Sequence, residues 1–172
     1  LMYYKLRELK KAKKFFKKTV EVQNNYAVAY YSLANLHVDL KEAKDALSCY
    51  QKAIEINPNL IGAYNNLGLL YRELNDFENS ISCYESAIKI NPQYANAHHN
   101  LAEIFKEVGN FEKSIESSML AIKWEPNNLM NYYFLSELKK DILDSNLRAK
   151  VKKIIKSDNC TRNNIIYGNY IL

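Results

Sequence analysis

The sequence predicts an all-α fold built as a stack of antiparallel helix pairs. The only prolines, Pro58, Pro92 and Pro126, stand at one fixed interval (92 − 58 = 126 − 92 = 34). A period of that length marks a supersecondary unit that buries its apolar face by stacking on its neighbours. Within each unit apolar residues recur at i, i+3, i+4 and i+7, the spacing of one helix face. Glycine is scarce, 4 in 172 residues, which argues against disorder and against a turn-rich β fold.

In chain order, residues 1–26 read as an amphipathic helix with a tail: Leu6, Leu9, Ala12, Phe15 or Phe16, Thr19 and Val20 recur at helical spacing. Ala12, Phe16 and Thr19 align with Ala46, Tyr50 and Ala53 of the next unit, so this segment is expected to be the second helix of a partial unit. Leu1–Tyr4 would be the end of a helix before it. Residues 27–128 hold three full units, 27–60, 61–94 and 95–128. In the first, one helix runs over Ala27–Leu40 with Tyr30, Leu33, Ala34 and Val38 on one face. A second runs over Glu42–Ile56 with Ala46, Leu47, Tyr50, Ala53 and Ile54. A residue–proline step ends each second helix, Asn57-Pro58, Asn91-Pro92 and Glu125-Pro126, because the residue before proline is pushed out of the α region and proline donates no hydrogen bond. Asn75-Asp76 and Gly109-Asn110 supply turn chemistry between paired helices, whereas Leu40-Lys41-Glu42 lacks these residue types.

Matched slots explain how the helices fit. The fourth residue of a unit is a ring: Tyr30, Tyr64, His98 or Tyr132. A second ring follows at His37, Tyr71 and Phe105. Between them stands a small residue, Ala34, Gly68 or Ala102, and Ala53, Ala87 and Ala121 play that part on the second helix. Large rings beside small residues are what close helix crossing requires. Cys49 and Cys83 share one slot, held by Ser117 in the third unit, so they read as small packing residues.

These slots resemble the tetratricopeptide repeat, a 34-residue helix–turn–helix unit. The second unit carries Tyr64, Leu67-Gly68, Tyr71, Ser80, Tyr84, Ala87 and Pro92; the first carries Tyr30, Leu33-Ala34, His37, Ala46, Tyr50, Ala53 and Pro58. The third carries His98, Leu101-Ala102, Phe105, Ser114, Ser118, Ala121 and Pro126. The resemblance implies a right-handed superhelical solenoid. After Pro126 the pattern decays: Tyr132, Leu135 and Ser136 still match, but Lys139, Arg148 and Cys160 replace the expected residues. Residues 129–162 are expected to be a degenerate or capping helix pair, Leu129–Lys140 and Ser145–Lys156, with Asp144 or Ser145 as N-cap. Residues 163–172 are expected to start a further, truncated helix.

Charge is segregated. Leu1–Val20 carries eight Lys/Arg against one Glu, and Lys139–Arg162 carries eight against three Asp; the intervening Glu21–Leu138 has fifteen acidic side chains against eight basic. The N-terminal lysines have no aromatic interleaving on the basic face and read as a solvated helix face, so no nucleic-acid partner is expected. No apolar run reaches the ~20 residues of a membrane span. Three cysteines without metal spacing suit a reducing compartment, and a cytoplasmic location is expected.

The glycine-rich phosphate loop, the Gly-x-Ser-x-Gly elbow and the His-Glu-x-x-His helix are absent from the sequence, so a non-enzyme without cofactor or metal is expected. His99 and Glu103 lie one turn apart, but His98 fills the ring slot, which leaves one histidine and one glutamate. The resemblance implies that the first helices line a concave groove. The positions that face it include Tyr31, Asn35, Asn65, Asn66, Leu69 and Arg72, then Asn96, His99, Asn100, Glu103 and Lys106, with Val28, Val38, Asp39, Glu73 and Glu107 beside them. Asn66 and Asn100 hold the same slot, and a carboxamide can pair with a peptide amide through donor and acceptor. That arrangement is similar to the asparagine ladder of O-linked glucosaminyl transferase repeats, although Ser32 and Phe134 interrupt it. The repeats that clamp chaperone tails put basic residues where Asn96, Asn100 and Tyr31 stand here, so that ligand is not expected. Asp39, Glu73, Glu103 and Glu107 against Arg72 and Lys106 favour a neutral or basic peptide.

The expected function is a protein-interaction scaffold whose groove binds an extended peptide or partner segment. The alternative is the non-catalytic repeat region of a larger transferase: the decayed repeat and Ile165-Ile166-Tyr167-Gly168-Asn169-Tyr170 are similar to regions preceding sulfotransferase or glycosyltransferase domains, which would make a covalently linked downstream catalytic domain a partner.

Overall fold

The computed structural model describes residues 2–138, 143–157 and 160–172, with side chains from Glu8 onward. Every regular element among them is a helix, and they group into two compact units, Leu1–Asn91 and Pro92–Leu172. The first contains α1 (Met2–Val22), α2 (Ala27–Asp39), α3 (Ala43–Ile56), α4 (Ile61–Glu73) and α5 (Phe77–Ile90). The second contains α6 (Ala95–Glu107), α7 (Phe111–Trp124), α8 (Leu129–Leu138), α9 (Ser145–Ile155) and α10 (Arg162–Ile171). The pairs α2–α3, α4–α5 and α6–α7 are the most closely packed neighbours.

The first-unit core is the predicted alternation of rings and small residues: Ala34, Ala46, Tyr50, Ala53, Ala63, Leu67 and Leu70, with Cys83 buried among them. At the crossing of α4 and α5 a Cβ built on Gly68 would lie 2.7 Å from Tyr84 Cε1, so even alanine intrudes on the ring. Ser80 Oγ donates to the Gly68 carbonyl at 2.6 Å, and Ser114 Oγ makes the same bond to Ala102 between α6 and α7. These serines stand where alanine is usual, and a hydroxyl paired with a carbonyl offsets its own burial.

The three inter-helix turns share one geometry. Lys41 (φ 63°), Asn75 (φ 59°) and Gly109 (φ 78°) all enter the left-handed region. Behind them Glu42, Asp76 and Asn110 donate to His37, Tyr71 and Phe105 carbonyls at 2.7–2.9 Å, the six-to-one bond of a Schellman ending. The Leu40–Glu42 turn therefore forms without Gly or Asn, at a steric cost of about 1–2 kcal/mol for a residue carrying a Cβ. Asn57 and Asn91 are extended ahead of their prolines, as the Asn-Pro steps predict.

Two sequence expectations change. Met2–Tyr4 continue α1 without a break, because Lys5, Leu6 and Arg7 are good helix formers and neither Gly nor Pro intervenes. On α1, Lys10, Lys11, Lys14, Lys17 and Lys18 are exposed as a wet face should be, but Lys13 turns inward and pairs with Glu42. The expected end of the Leu129–Lys140 helix lies outside the described residues. In the second unit α10 packs on both α8 and α9, and Ile171 joins Leu129, Tyr132, Leu135, Leu143 and Val151 in one buried cluster.

The ends of these last helices are tied by side chains. Asp144 caps α9 through Leu147 N–H at 2.8 Å, and Thr161 caps α10 through Asn164 N–H at 3.2 Å. Asn164 accepts from Leu129 N–H at 3.0 Å and donates to the Asn127 carbonyl at 2.8 Å, so one carboxamide holds the start of α8. Arg148 donates to the carbonyls of Leu143 (3.0 Å) and Ile171 (3.2 Å), the latter at the close of α10.

Candidate functional site

In the first unit the inner faces of α2 and α4 bring together Tyr31, Asn35 and Asn66. Asn66 Nδ2 donates to Asn35 Oδ1 at 2.9 Å and to Tyr31 Oη at 3.1 Å, and Asn66 Oδ1 accepts from Asn65 at 3.2 Å. Tyr50, from α3, donates its hydroxyl to Asn35 Oδ1 at 2.6 Å. Burial pushes the Tyr50 phenol up to about 12, against the pull of the Asn66 side chain and with help from Tyr31, Asp39 and Glu73. The phenol is therefore neutral near pH 7 and acts as a donor, which fixes Asn35 Oδ1 as a double acceptor. The network occupies both donors of Asn66, while the Asn35 Nδ2 group lies outside it.

Over this polar floor opens a recess of about 290 Å³ lined by Asn35, Val38, Asp39, Tyr50, Asn66, Leu69, Leu70 and Glu73. Asp39 and Glu73 occupy the same slot of successive repeats, and both are exposed. Leu69 is 37% exposed and Leu70 is buried, giving the recess an apolar wall. Arg72 is half-buried on α4, and Asn65 is buried at its own register. Tyr50 belongs to the floor although its slot marks it only as packing; the signal for it is the pairing of that slot with asparagine one helix away.

The second unit presents different chemistry at matching positions. Asn96 is exposed and Asn100 is buried. His99 Nε2 lies 3.8 Å from Glu103 Oε1, and its ring meets Phe134 edge-on at 5.5 Å. Lys106 Nζ sits 5.0 Å above the Phe134 ring and 3.3 Å from Glu137, which also accepts from Tyr133 Oη at 2.8 Å. Phe134 holds the slot of Asn66 and Asn100, so an aromatic platform stands where the asparagine pattern stops. His98 is a packing residue, as its slot predicts: it is 6% exposed and Nε2 bonds the Pro92 carbonyl at 2.9 Å, just as Tyr132 Oη bonds Pro126 at 3.0 Å. A recess of about 370 Å³ that the sequence does not announce lies among Tyr132, Lys150, Lys153, Ile154, Ser157, Cys160 and Asn164.

Helix pairs joined at small-residue seams and repeated at a fixed interval define an all-α helical repeat protein. Tetratricopeptide repeat matches cover residues 27–60, 49–81 and 95–128, and a TPR repeat match covers 68–109. The chain belongs to the tetratricopeptide-repeat family. A search of curated proteins by sequence gives no match. Among solved structures it is similar to MamA (TM-score 0.74, 19% identity, covering 97% of this chain and 92% of that one). It is also similar to a MamA fragment from Desulfovibrio magneticus RS-1 (0.71, 18%, 88% and 87%). A third is YrrB, described as a TPR protein with an unusual peptide-binding site (0.68, 18%, 90% and 82%). These likenesses establish the fold class, that of the tetratricopeptide arrays. No described helix is long and apolar enough to cross a membrane.

Proposed function

We propose that the chain is a protein-interaction scaffold whose inner helix faces bind an extended peptide or partner segment, without catalytic turnover. The observation that carries this reading is the 290 Å³ recess of the first unit, with amide floor, leucine wall and carboxylate rim. In it Asn35 Nδ2 offers donors to a backbone carbonyl, Leu69 and Val38 contact aliphatic groups, and Asp39 and Glu73 favour neutral or basic residues. The second unit offers His99, Glu103, Lys106 and Asn96 on its own face. The description of YrrB as peptide-binding supports the same use of this fold.

Asn66 is a poor probe of the recess, because its donors are spent on Asn35 and Tyr31 and replacing it breaks those bonds. Asp39→Asn with Glu73→Gln tests the recess more cleanly, since both side chains are exposed and the changes are isosteric. Anisotropy titrations against a library of extended peptides should find basic peptides bound, and the double variant should weaken them about tenfold, or ~1.4 kcal/mol. Helicity and unfolding midpoint should hold. Equal affinity for both proteins would overturn the assignment of this recess.

A further inference from the structure

The repeat over 27–60 departs from its two successors at three slots at once. His37 stands where Tyr71 and Phe105 supply rings. Glu42 stands where Asp76 and Asn110 cap the next helix by accepting from Asn79 N–H and Lys113 N–H, each at 3.2 Å; Glu42 makes no side-chain cap bond. Asp45 stands where Asn79 and Lys113 do. The three departures converge. His37 Nδ1 lies 2.6 Å from Glu42 Oε2 and 3.7 Å from Asp45 Oδ2, and one ligand atom from each residue falls within 4.8 Å of the others.

One imidazole and two carboxylates are a donor set for borderline divalent ions. Ligand distances of about 2.0–2.2 Å around a tetrahedral ion put neighbouring donors roughly 3.3–3.6 Å apart. His37 Nδ1 and Glu42 must open slightly and Asp45 must close slightly, and the exposed Asp45 carboxylate can do so by side-chain rotation. His37 is 2% exposed, so packing fixes the ring. The Asp45 carboxylate is exposed and that of Glu42 is half-buried, so the solvent side of the cluster gives an ion an entry path and room for water as a fourth ligand. Lys13, from α1, pairs its ammonium with the same Glu42 oxygen.

We propose that His37, Glu42 and Asp45 form a binding site for a divalent transition ion of the zinc class, and that the ion competes with the Lys13 ammonium for Glu42. Binding at this node would thereby loosen the tie of α1 to the α2–α3 turn.

The test is calorimetric titration of the whole chain with zinc chloride under a non-chelating reductant, backed by cobalt absorption spectra. Wild type should take up one equivalent with micromolar affinity. His37→Phe restores the ring type of Phe105 and should weaken binding at least about 30-fold, and Glu42→Gln with Asp45→Asn should do the same with the imidazole in place. Lys13→Gln should tighten binding several-fold. His99→Phe should change nothing; loss there instead would place the ion at His99 and Glu103 and overturn the proposal. So would absence of uptake by wild type, or unchanged uptake by both ligand variants, which would mark an adventitious ion only.

Discussion

The α4–α5 pair and the α8–α10 group bury similar apolar cores by different means. In the first, a small residue faces a ring: Gly68 lets Tyr84 lie against the α4 backbone, and Ser80 ties α5 to α4 at 2.6 Å. In the second, polar side chains hold the helix ends: Asn164 clasps the start of α8, and Arg148 clasps the end of α10. A close approach to glycine recurs there too, for a Cβ on Gly168 would sit 2.3 Å from Ile155 Cδ1 and push that side chain aside. The difference shows that a repeat can lose its slot pattern and still pack, provided other groups satisfy the exposed backbone of the helix termini.

That comparison breaks most sharply at the ring–glycine seam. Gly68→Leu should cost about 3 kcal/mol, because the branched side chain must displace a fully buried tyrosine. Urea unfolding would show it as a lower midpoint with protection lost across α4 and α5. Asn164→Ala should have a smaller effect, about 1–3 kcal/mol, by leaving the Leu129 amide and the Asn127 carbonyl without their partner. Hydrogen exchange should then speed up at the start of α8 and leave α2–α5 unchanged. The smallest effect runs the other way: Lys41→Gly should stabilise by about 1 kcal/mol, since glycine adopts the left-handed turn at no steric cost. A lower thermal midpoint in that variant would mean that the Lys41 side chain contributes more than its backbone strain costs.

A further handle is pH. The hydrogen bond from Lys13, then that from His37, holds the Glu42 carboxyl below its ordinary 4.5. A depressed native value gives stability that is present above the unfolded pKa and lost as pH falls through the native one. Glu42→Gln should therefore flatten the acid limb of stability below about pH 4.5. Urea midpoints from pH 3 to 6 that match the wild-type profile would show that Glu42 adds nothing to the link between α1 and the α2–α3 turn.

Much of the repeat region was legible because its rules are local. The 34-residue interval, the Asn-Pro endings and the ring-beside-alanine slots each follow from sequence neighbours. The Lys41 turn was less legible, since no residue there favours positive φ; the flanking helices impose it. Of the residues expected on the inner faces, Tyr31, Asn35 and Asn66 share one network. Tyr50 joins them from a packing slot, and Asn66 spends its donors inside the fold. Hydrogen-bond capacity is shared between helices in three dimensions, and no spacing rule reports who has taken it.

The sequence by itself determined the class: period, helix faces and proline punctuation leave few alternatives to stacked helix pairs, because each helix carries an apolar stripe that only a neighbour can cover. Tertiary structure alone decided where polar groups spend their bonds. It turned Lys13 and Glu42 inward toward His37, set Asn164 at the foot of α8, and placed Asp39 and Glu73 around one recess. Lys13 and Glu42 are 29 residues apart, Asn127 and Asn164 are 37 apart, and Asp39 and Glu73 are 34 apart (73 − 39). Only packing brings them within reach, since apolar burial fixes the helices first and the polar side chains then pair with whatever donors and acceptors that packing presents.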